Sequence, residues 1–276
     1  MSINLNLNRL EIDESSILGR GSFGIVARGK YCGTSVAVKK IITKNPDLLK
    51  EITMLINLRH PNIVDMIAFS DNYIVMSMFD GNSSYKEDLT LLELYILGRD
   101  CMQAISYLNM HSDCILHADI KPENILVKRS RDNRIYKAVL GDVGLSKVCK
   151  GKGFSGTPGF MPLDNFPQTS LNDVYALGVS LLDSFFKDDV RTSFKFIKDD
   201  INIDIKNNVF EFLDKTPSPV NQVIGGMIVV RNSGILERSD SDEMMSLFLL
   251  KVTKDFQDLY EQESKNEEEW FKNLSV

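Results

Sequence analysis

The segment His117-Ala118-Asp119-Ile120-Lys121-Pro122-Glu123-Asn124 sets a carboxylate, a cation and a side-chain amide at fixed offsets between two hydrophobic runs. Leu140-Gly141-Asp142-Val143-Gly144 adds a second carboxylate downstream. A group such as Asp119 can accept a hydroxyl proton, or orient that hydroxyl, during attack on a γ-phosphate. Lys121 can neutralise charge that builds on the transferring phosphoryl group. Asn124 and Asp142 supply hard oxygen ligands of the kind Mg2+ takes. Asp, Lys and Asn are common loop residues, and each alone reads as structural. Their order and spacing together carry the signal.

A second candidate lies upstream. Leu18 is followed by Gly19, Gly21, Gly24 and Val26 in a G-x-G-x-x-G-x-V pattern. A dinucleotide-binding turn needs a helix right after the glycines. Here Ile25 and Val26 lead into another strand, so the glycines belong to a β-hairpin. Without Cβ atoms in the way, its backbone N–H groups can come down over phosphates. No Gly-Lys-Ser/Thr follows, which excludes a Walker A loop. Lys39 stands fifteen residues past Gly24, on the third strand, and Glu51 falls in the next helix. A Lys39–Glu51 pair would aim the ammonium at α- and β-phosphate oxygens.

The elements that must position these residues divide into two parts. Residues 1–79 read as a small sheet-rich lobe of five strands and one helix, the helix starting near Asn45-Pro46. Asp80 to Leu89 is polar and reads as a linker. Residues 80–276 are then mostly helical. Leu94, Leu97, Cys101, Ile105 and Leu108 form one stripe despite Gly98, and the run from Ser170 to Phe186 is apolar nearly all round, as a buried helix is. Short strand-like pieces flank the 117–124 segment. The acidic run near the end reads as a solvated helix end or frayed tail.

Bulk properties bound the function. A chain of 276 residues, 43% hydrophobic and 25% charged, has the make-up of an ordinary globular domain with an ample core. A net charge of −6 argues against a dedicated nucleic-acid or anionic-membrane binder. No apolar run approaches the roughly 18 residues that span a bilayer, and the first residues lack the pattern of a signal peptide or a myristoylation site. Cys32, Cys101, Cys114 and Cys149 show no metal-site spacing and read as scattered thiols of a reducing compartment. The expectation is cytoplasmic, with the nucleus open and a host cell's interior if the source is a virus or pathogen. Oligomeric state leaves no trace in the sequence.

The ensemble resembles a eukaryotic-type protein kinase: the Gly-rich loop, Val36-Ala37-Val38-Lys39, Glu51, Leu58-Arg59-His60-Pro61-Asn62-Ile63-Val64, the H-x-D-x-K-x-x-N segment, Asp142-x-Gly144 and Gly156-Thr157-Pro158-Gly159-Phe160. That resemblance implies a single α+β catalytic domain with a bilobal fold, a five-stranded antiparallel β-lobe over a helical lobe, and ATP and Mg2+ in the cleft. It implies that Val26, Ala37 and Leu126 sandwich adenine, with Leu18 at the edge. Met76 would be the gatekeeper, and backbone groups of Ser77 and Phe79 would bond the adenine edge. Leu55, Met66, His117 and Val143 would form a hydrophobic column anchored by Asp173. Lys121 and Thr157 resemble the serine/threonine type, whose Thr bonds the catalytic Asp and Lys, so the expected partner is a protein with a Ser or Thr acceptor. The segment from Gly29 to Ile41 is similar to the tyrosine-kinase-like group.

Three departures stand out. Ala118 replaces an Arg that reads activation-loop phosphate, which removes a switch rather than the chemistry. Val143 replaces a Phe. Pro162-Leu163-Asp164 replaces Ala-Pro-Glu, with Arg238 the candidate partner of Asp164, and Ser146 and Ser155 remain candidate phosphosites. The alternative these departures motivate is a pseudokinase, a nucleotide-binding or scaffolding module. A small-molecule kinase is disfavoured by the peptide-positioning Gly156–Phe160 segment.

Overall fold

Period-two alternation from Thr34 to Ile41 buries Val36 and Val38 on one face and leaves Ala37 and Lys39 on the other. The computed structural model describes residues 3–21, 24–42, 52, 56–85, 89–112, 114–143, 147–148, 156–157, 159–161, 169–186, 213–233 and 242–274. In it β1 (Ile3–Asn4), β2 (Leu10–Gly21), β3 (Gly24–Tyr31), β4 (Thr34–Ile41), β5 (Met66–Ser70) and β6 (Tyr73–Ser77) form one sheet in the order β1-β5-β6-β4-β3-β2. The five expected antiparallel strands are β2 to β6. A sixth, β1, adds itself in parallel to the β5 edge, Ile3 opposite Ala68. Of the expected helix after Asn45, only Ile52, Ile56 and Asn57 are described, and Ile52 is buried. Glu51 and Leu55 lie outside the described residues.

The expected linker is partly strand. β7 (Gly81–Asn82) pairs with β9 (Ile125–Arg129), which in turn pairs with β10 (Ile135–Leu140). Ser83 is buried because its hydroxyl finds partners, donating to the Pro122 carbonyl and meeting Ser184 Oγ at 2.9 Å. Polarity alone reads as loop; a paired buried hydroxyl reverses that reading.

Among the described residues four α-helices follow: α1 (Leu91–Met110), α2 (Ser170–Phe186), α3 (Val220–Ser233) and α4 (Asp242–Leu274). A capping box starts α1, in which Glu93 N–H donates to Thr90 Oγ1 and Thr90 N–H to Glu93 Oε2. The second oxygen of Glu93 accepts the Ile135 N–H, and Asp100 Oδ2 accepts the Ala138 N–H. Two carboxylates on α1 thus fix β10 along its length. The expected stripe of Leu94, Leu97, Cys101, Ile105 and Leu108 is fully buried, and α2 sits in the core as its all-round apolarity requires. The acidic run falls within α4 as a solvated helix end.

One seam joins the sheet to the helical part. Val64 N–H donates to the Leu140 carbonyl and Leu140 N–H to the Asn62 carbonyl, while the Asn62 side-chain amide donates to Ala138 O, each at 2.9 Å. The sequence reading of four separate thiols needs correction. Cys32 and Cys101 are free, but Cys114 is disulfide-bonded. It precedes β8 (Ile115–Leu116), which pairs antiparallel with β11 (Lys147–Val148), and pairing of distant segments is what makes such a bond geometrically open.

Gly98 has a packing reason. A Cβ there would lie 2.4 Å from ring carbon Cε1 of the fully buried Phe256 on α4. Gly98→Val should therefore destabilise the protein by about 1–3 kcal/mol through overpacking. A thermal melt should show a drop of several degrees, and an unchanged midpoint would mean that the α1–α4 contact is not tight.

Candidate functional site

The geometry of the site begins with an unfavourable backbone. Ala118 has φ 65° and Asp142 φ 53°, in the left-handed region that costs an L-residue roughly 1–2 kcal/mol. Asp173, in the first turn of α2 and buried, offsets the first of these. Its Oδ2 accepts the His117 N–H at 2.7 Å and its Oδ1 the Ala118 N–H at 2.9 Å. Hydrogen bonds to a charged acceptor contribute about 1.5–3 kcal/mol each, so the pair outweighs the strain. The buried His117 ring then links this loop to the next. Its Nδ1 faces the Asp119 N–H at 3.4 Å and so is the acceptor, which leaves Nε2–H to donate to the Gly141 carbonyl at 2.9 Å.

On this frame the sequence-selected groups converge. Thr157 Oγ1 donates to Asp119 Oδ1 at 2.7 Å and accepts from Lys121 Nζ at 2.7 Å, while Lys121 Nζ also reaches Asp119 Oδ2 at 2.9 Å. Asn124 Nδ2 donates to the Asp119 carbonyl at 2.8 Å and to Oδ2 at 3.0 Å. A turn over Pro122–Asn124 and the Gly141 N–H to Asn124 carbonyl bond hold Asn124 in place. A carboxylate offers about four lone-pair sites. Oδ2 takes two donors and Oδ1 one, so the remaining site is on Oδ1.

Lys39 is brought to the same place from the sheet. Opposite Val26 on β3 and Ile74 on β6, it is 7% exposed, and its ammonium bonds Asp142 Oδ1 at 3.2 Å. Burial alone would raise the Asp142 carboxyl's pKa. The charge and hydrogen bond of Lys39, helped by the charge of Lys121, outweigh it and hold the pKa below the ordinary value. Asp142 is therefore an anion whose carboxylate still reaches solvent. The expected partner Glu51 falls outside the described residues.

The Gly-rich segment divides its labour. Gly24 is required by packing, since a Cβ would lie 2.2 Å from the Lys40 carbonyl oxygen, whereas nothing approaches within 4 Å of a Cβ at Gly19. Leu18, Gly19 and Gly21 lie on β2, with Gly19 opposite Val26 and Gly21 opposite Gly24. Val26, Ala37, Met76 and Leu126 are each half-buried, with Ala37 opposite Met76 across β4 and β6. Ser77 spends its N–H on the Asp65 carbonyl, so its carbonyl is what it can offer a ligand; Phe79 follows, half-buried. Met66, His117 and Val143 are buried as expected of a column. Ser146, Ser155, Pro162, Leu163, Asp164 and Arg238 lie outside the described residues.

Sequence reasoning placed Asp173 and His117 only in that column and missed their hydrogen bonds. The available signal was a carboxylate in the first turn of a helix buried on every face, which must be paired. The donor set fits a small hard cation: the Asn124 amide is oriented by its two Nδ2 bonds, which leaves its carbonyl oxygen, and Asp142 supplies an anionic oxygen. Among the described residues no cluster of three or more His, Cys, Asp and Glu side chains could hold a metal alone. Two oxygens suit Mg2+, which keeps several waters and completes its shell with phosphates. The open space at Gly19 and the half-buried apolar set fit a nucleotide in the same way.

Comparison with known proteins agrees with this geometry. Residues 12–262 match the model of the protein kinase domain. The chain is 29% identical over 268 residues to the probable L-type lectin-domain containing receptor kinase S.5 of Arabidopsis thaliana, covering 84% of this chain and 38% of that protein. It is 28% identical over 249 residues to serine/threonine-protein kinase D3 of Homo sapiens, covering 81% and 27%. It is 32% identical over 194 residues to the probable serine/threonine-protein kinase drkD of Dictyostelium discoideum, covering 62% and 15%. In each case the chain spans less than half of the relative's length.

Because folding lowers the Asp142 pKa, its contribution to stability is full above the unfolded value near ~3.9 and is lost as pH falls through the lower folded value. In Lys39→Met, burial acts without its main opponent. The Asp142 carboxyl should then titrate at higher pH than in wild type, followed by its 13C shift; an unmoved titration would assign the depression to other groups.

Proposed function

The chain belongs to the protein kinase family, and from that premise we propose that it is an ATP- and Mg2+-dependent serine/threonine protein kinase. The observation that carries the reading is the closed triangle of Asp119, Lys121 and Thr157. It leaves one lone pair on Asp119 Oδ1, and an acceptor Ser or Thr hydroxyl donates there. Asp119 orients that hydroxyl and receives its proton at Oδ1 as the hydroxyl oxygen bonds to the γ-phosphorus of ATP and the bond from that phosphorus to the departing ADP oxygen breaks. Lys121 keeps positive charge beside the developing negative charge. Thr157 fixes both groups and ties them to the Gly156–Met161 segment. A small cleft lined by Ala118, Asp119, Thr157, Phe160 and Met161 borders the carboxylate.

The nucleotide side follows from the same residues. Asn124 Oδ1 and Asp142 would hold Mg2+, which would neutralise phosphate charge. Lys39 would meet the α- and β-phosphates, with the glycine segment of β2 and β3 above them. Val26, Ala37 and Leu126 would sandwich adenine, Met76 would close the pocket's back, and the Ser77 carbonyl with backbone groups of Phe79 would meet the base edge. Activity independent of activation-loop phosphate is part of the proposal. Ala118 carries no cation to read a phosphate, and its backbone is already held by Asp173.

Purified protein with labelled ATP, Mg2+ and a generic protein substrate should transfer phosphate. Asp119→Ala should lower the rate by about 10²–10⁴-fold, and Lys39→Met should do likewise. Equal silence of wild type and Asp119→Ala, with ATP still raising the melting temperature, would instead support a nucleotide-binding scaffold. Phosphatase treatment should leave the wild-type rate largely unchanged. A large loss would show that a phosphate is read after all.

A further inference from the structure

Two buried serines take no part in the Asp119–Lys121–Thr157 triangle. Ser83 and Ser184 are 1% and 3% exposed and meet through their hydroxyls at 2.9 Å, across 101 positions of the chain. The direction of that bond is fixed by its neighbour. The Pro122 carbonyl lies 3.2 Å from Ser83 Oγ and can only accept, so it takes the one hydroxyl proton of Ser83. Ser184 must then donate to Ser83. The line runs from α2, through Ser83, to the turn Pro122–Asn124.

That turn carries Asn124. Lys121, which opens it, makes no side-chain cap bond and sends its ammonium to Asp119 and Thr157 instead. The Pro122 carbonyl has two lone pairs. The Ile125 N–H fills one and the Ser83 hydroxyl the other. Asn124 N–H donates back to the Lys121 carbonyl, and its two Nδ2 protons are engaged by the Asp119 carbonyl and Oδ2 at 2.8 and 3.0 Å. Ser83 is held in turn from the sheet side. Asn82 pairs with Leu126 in the β7–β9 ladder, and its Oδ1 accepts the Ser84 N–H at 3.1 Å.

We propose that Ser83 is a positioning residue: backed by Ser184, it holds the turn that aims the amide oxygen of Asn124. It thereby couples the segment that follows Ser77 and Phe79 to the metal-holding side of the cleft. The inference rests on Asn124 being a Mg2+ ligand in the proposed kinase. Two hydroxyls that satisfy each other can also serve packing alone. The two roles separate by measurement. Packing alone lowers the melting temperature and leaves the effect of Mg2+ on nucleotide affinity where it is. Positioning moves that effect.

Wild-type protein, Ser83→Ala and Ser184→Ala are titrated with a non-hydrolysable ATP analogue, once with Mg2+ and once with EDTA. In EDTA the affinities of wild type and Ser83→Ala should agree. The gain in affinity that Mg2+ brings should fall about tenfold in Ser83→Ala, the low end for support of a metal ligand by its neighbours. It should fall less in Ser184→Ala, which keeps the Ser83–Pro122 bond. A second readout needs neither metal nor nucleotide. The Asn124 side-chain amide signals, assigned by their loss in Asn124→Asp, should exchange with water several-fold faster in Ser83→Ala. Equal Mg2+ gains in wild type and Ser83→Ala, or an unmoved amide exchange, overturn the proposal. Should Ser83→Ala not fold, Ser184→Ala decides by the same two measures. Should wild type bind no nucleotide, the proposed activity fails, and the amide exchange still decides the role of Ser83.

Discussion

The Asp173 carboxylate is the constraint on which the site rests. It is buried in the first turn of α2, and its oxygens take the backbone N–H groups of His117 and Ala118. A buried anion left without partners would cost several kcal/mol, so once α2 packs in the core the loop has to come to it. That contact makes the left-handed turn at Ala118 affordable, and the turn sets the direction in which Asp119 leaves the chain. His117 then passes the constraint on to the Gly141 carbonyl and hence to Asp142. A single helix position therefore fixes two loops that lie more than twenty residues apart in sequence.

The sheet is joined to this frame at two places of different character. The seam of Asn62, Val64, Ala138 and Leu140 is built from neutral hydrogen bonds at buried positions and sets where the sheet sits. The Lys39–Asp142 contact is an ion pair whose carboxylate still reaches solvent. Pairs with an exposed partner contribute little to stability. Its value lies in keeping Asp142 anionic and Lys39 held at the site.

Much of this was legible in the sequence. Asp119, Lys121 and Asn124 lie within six residues of one another, and the period-two pattern around Lys39 sets which face it takes. The helical stripe from Leu94 to Leu108 was readable despite Gly98, because apolar spacing outweighs one glycine. What could not be read depends on long-range pairing. The Thr157–Lys121 contact across 36 positions was implied by the family resemblance alone, and Ser83 is buried only because Ser184 and Pro122 happen to face it. β1 follows from a free edge on β5 rather than from the pattern of two residues. The disulfide at Cys114 was invisible because cysteine spacing along the chain says nothing about which thiols meet in space.

Position 118 shows how a departure in sequence can leave a geometry untouched. The backbone there is held through its N–H and its φ angle, and neither depends on the side chain beyond Cβ. Alanine bears the same left-handed penalty as an arginine would, and Asp173 offsets it equally for either. The side chains that set the Asp119 carboxylate are attached at 121, 124 and 157, and their bonds to it close without any contribution from 118. Alanine at 118 therefore subtracts nothing from the triangle itself.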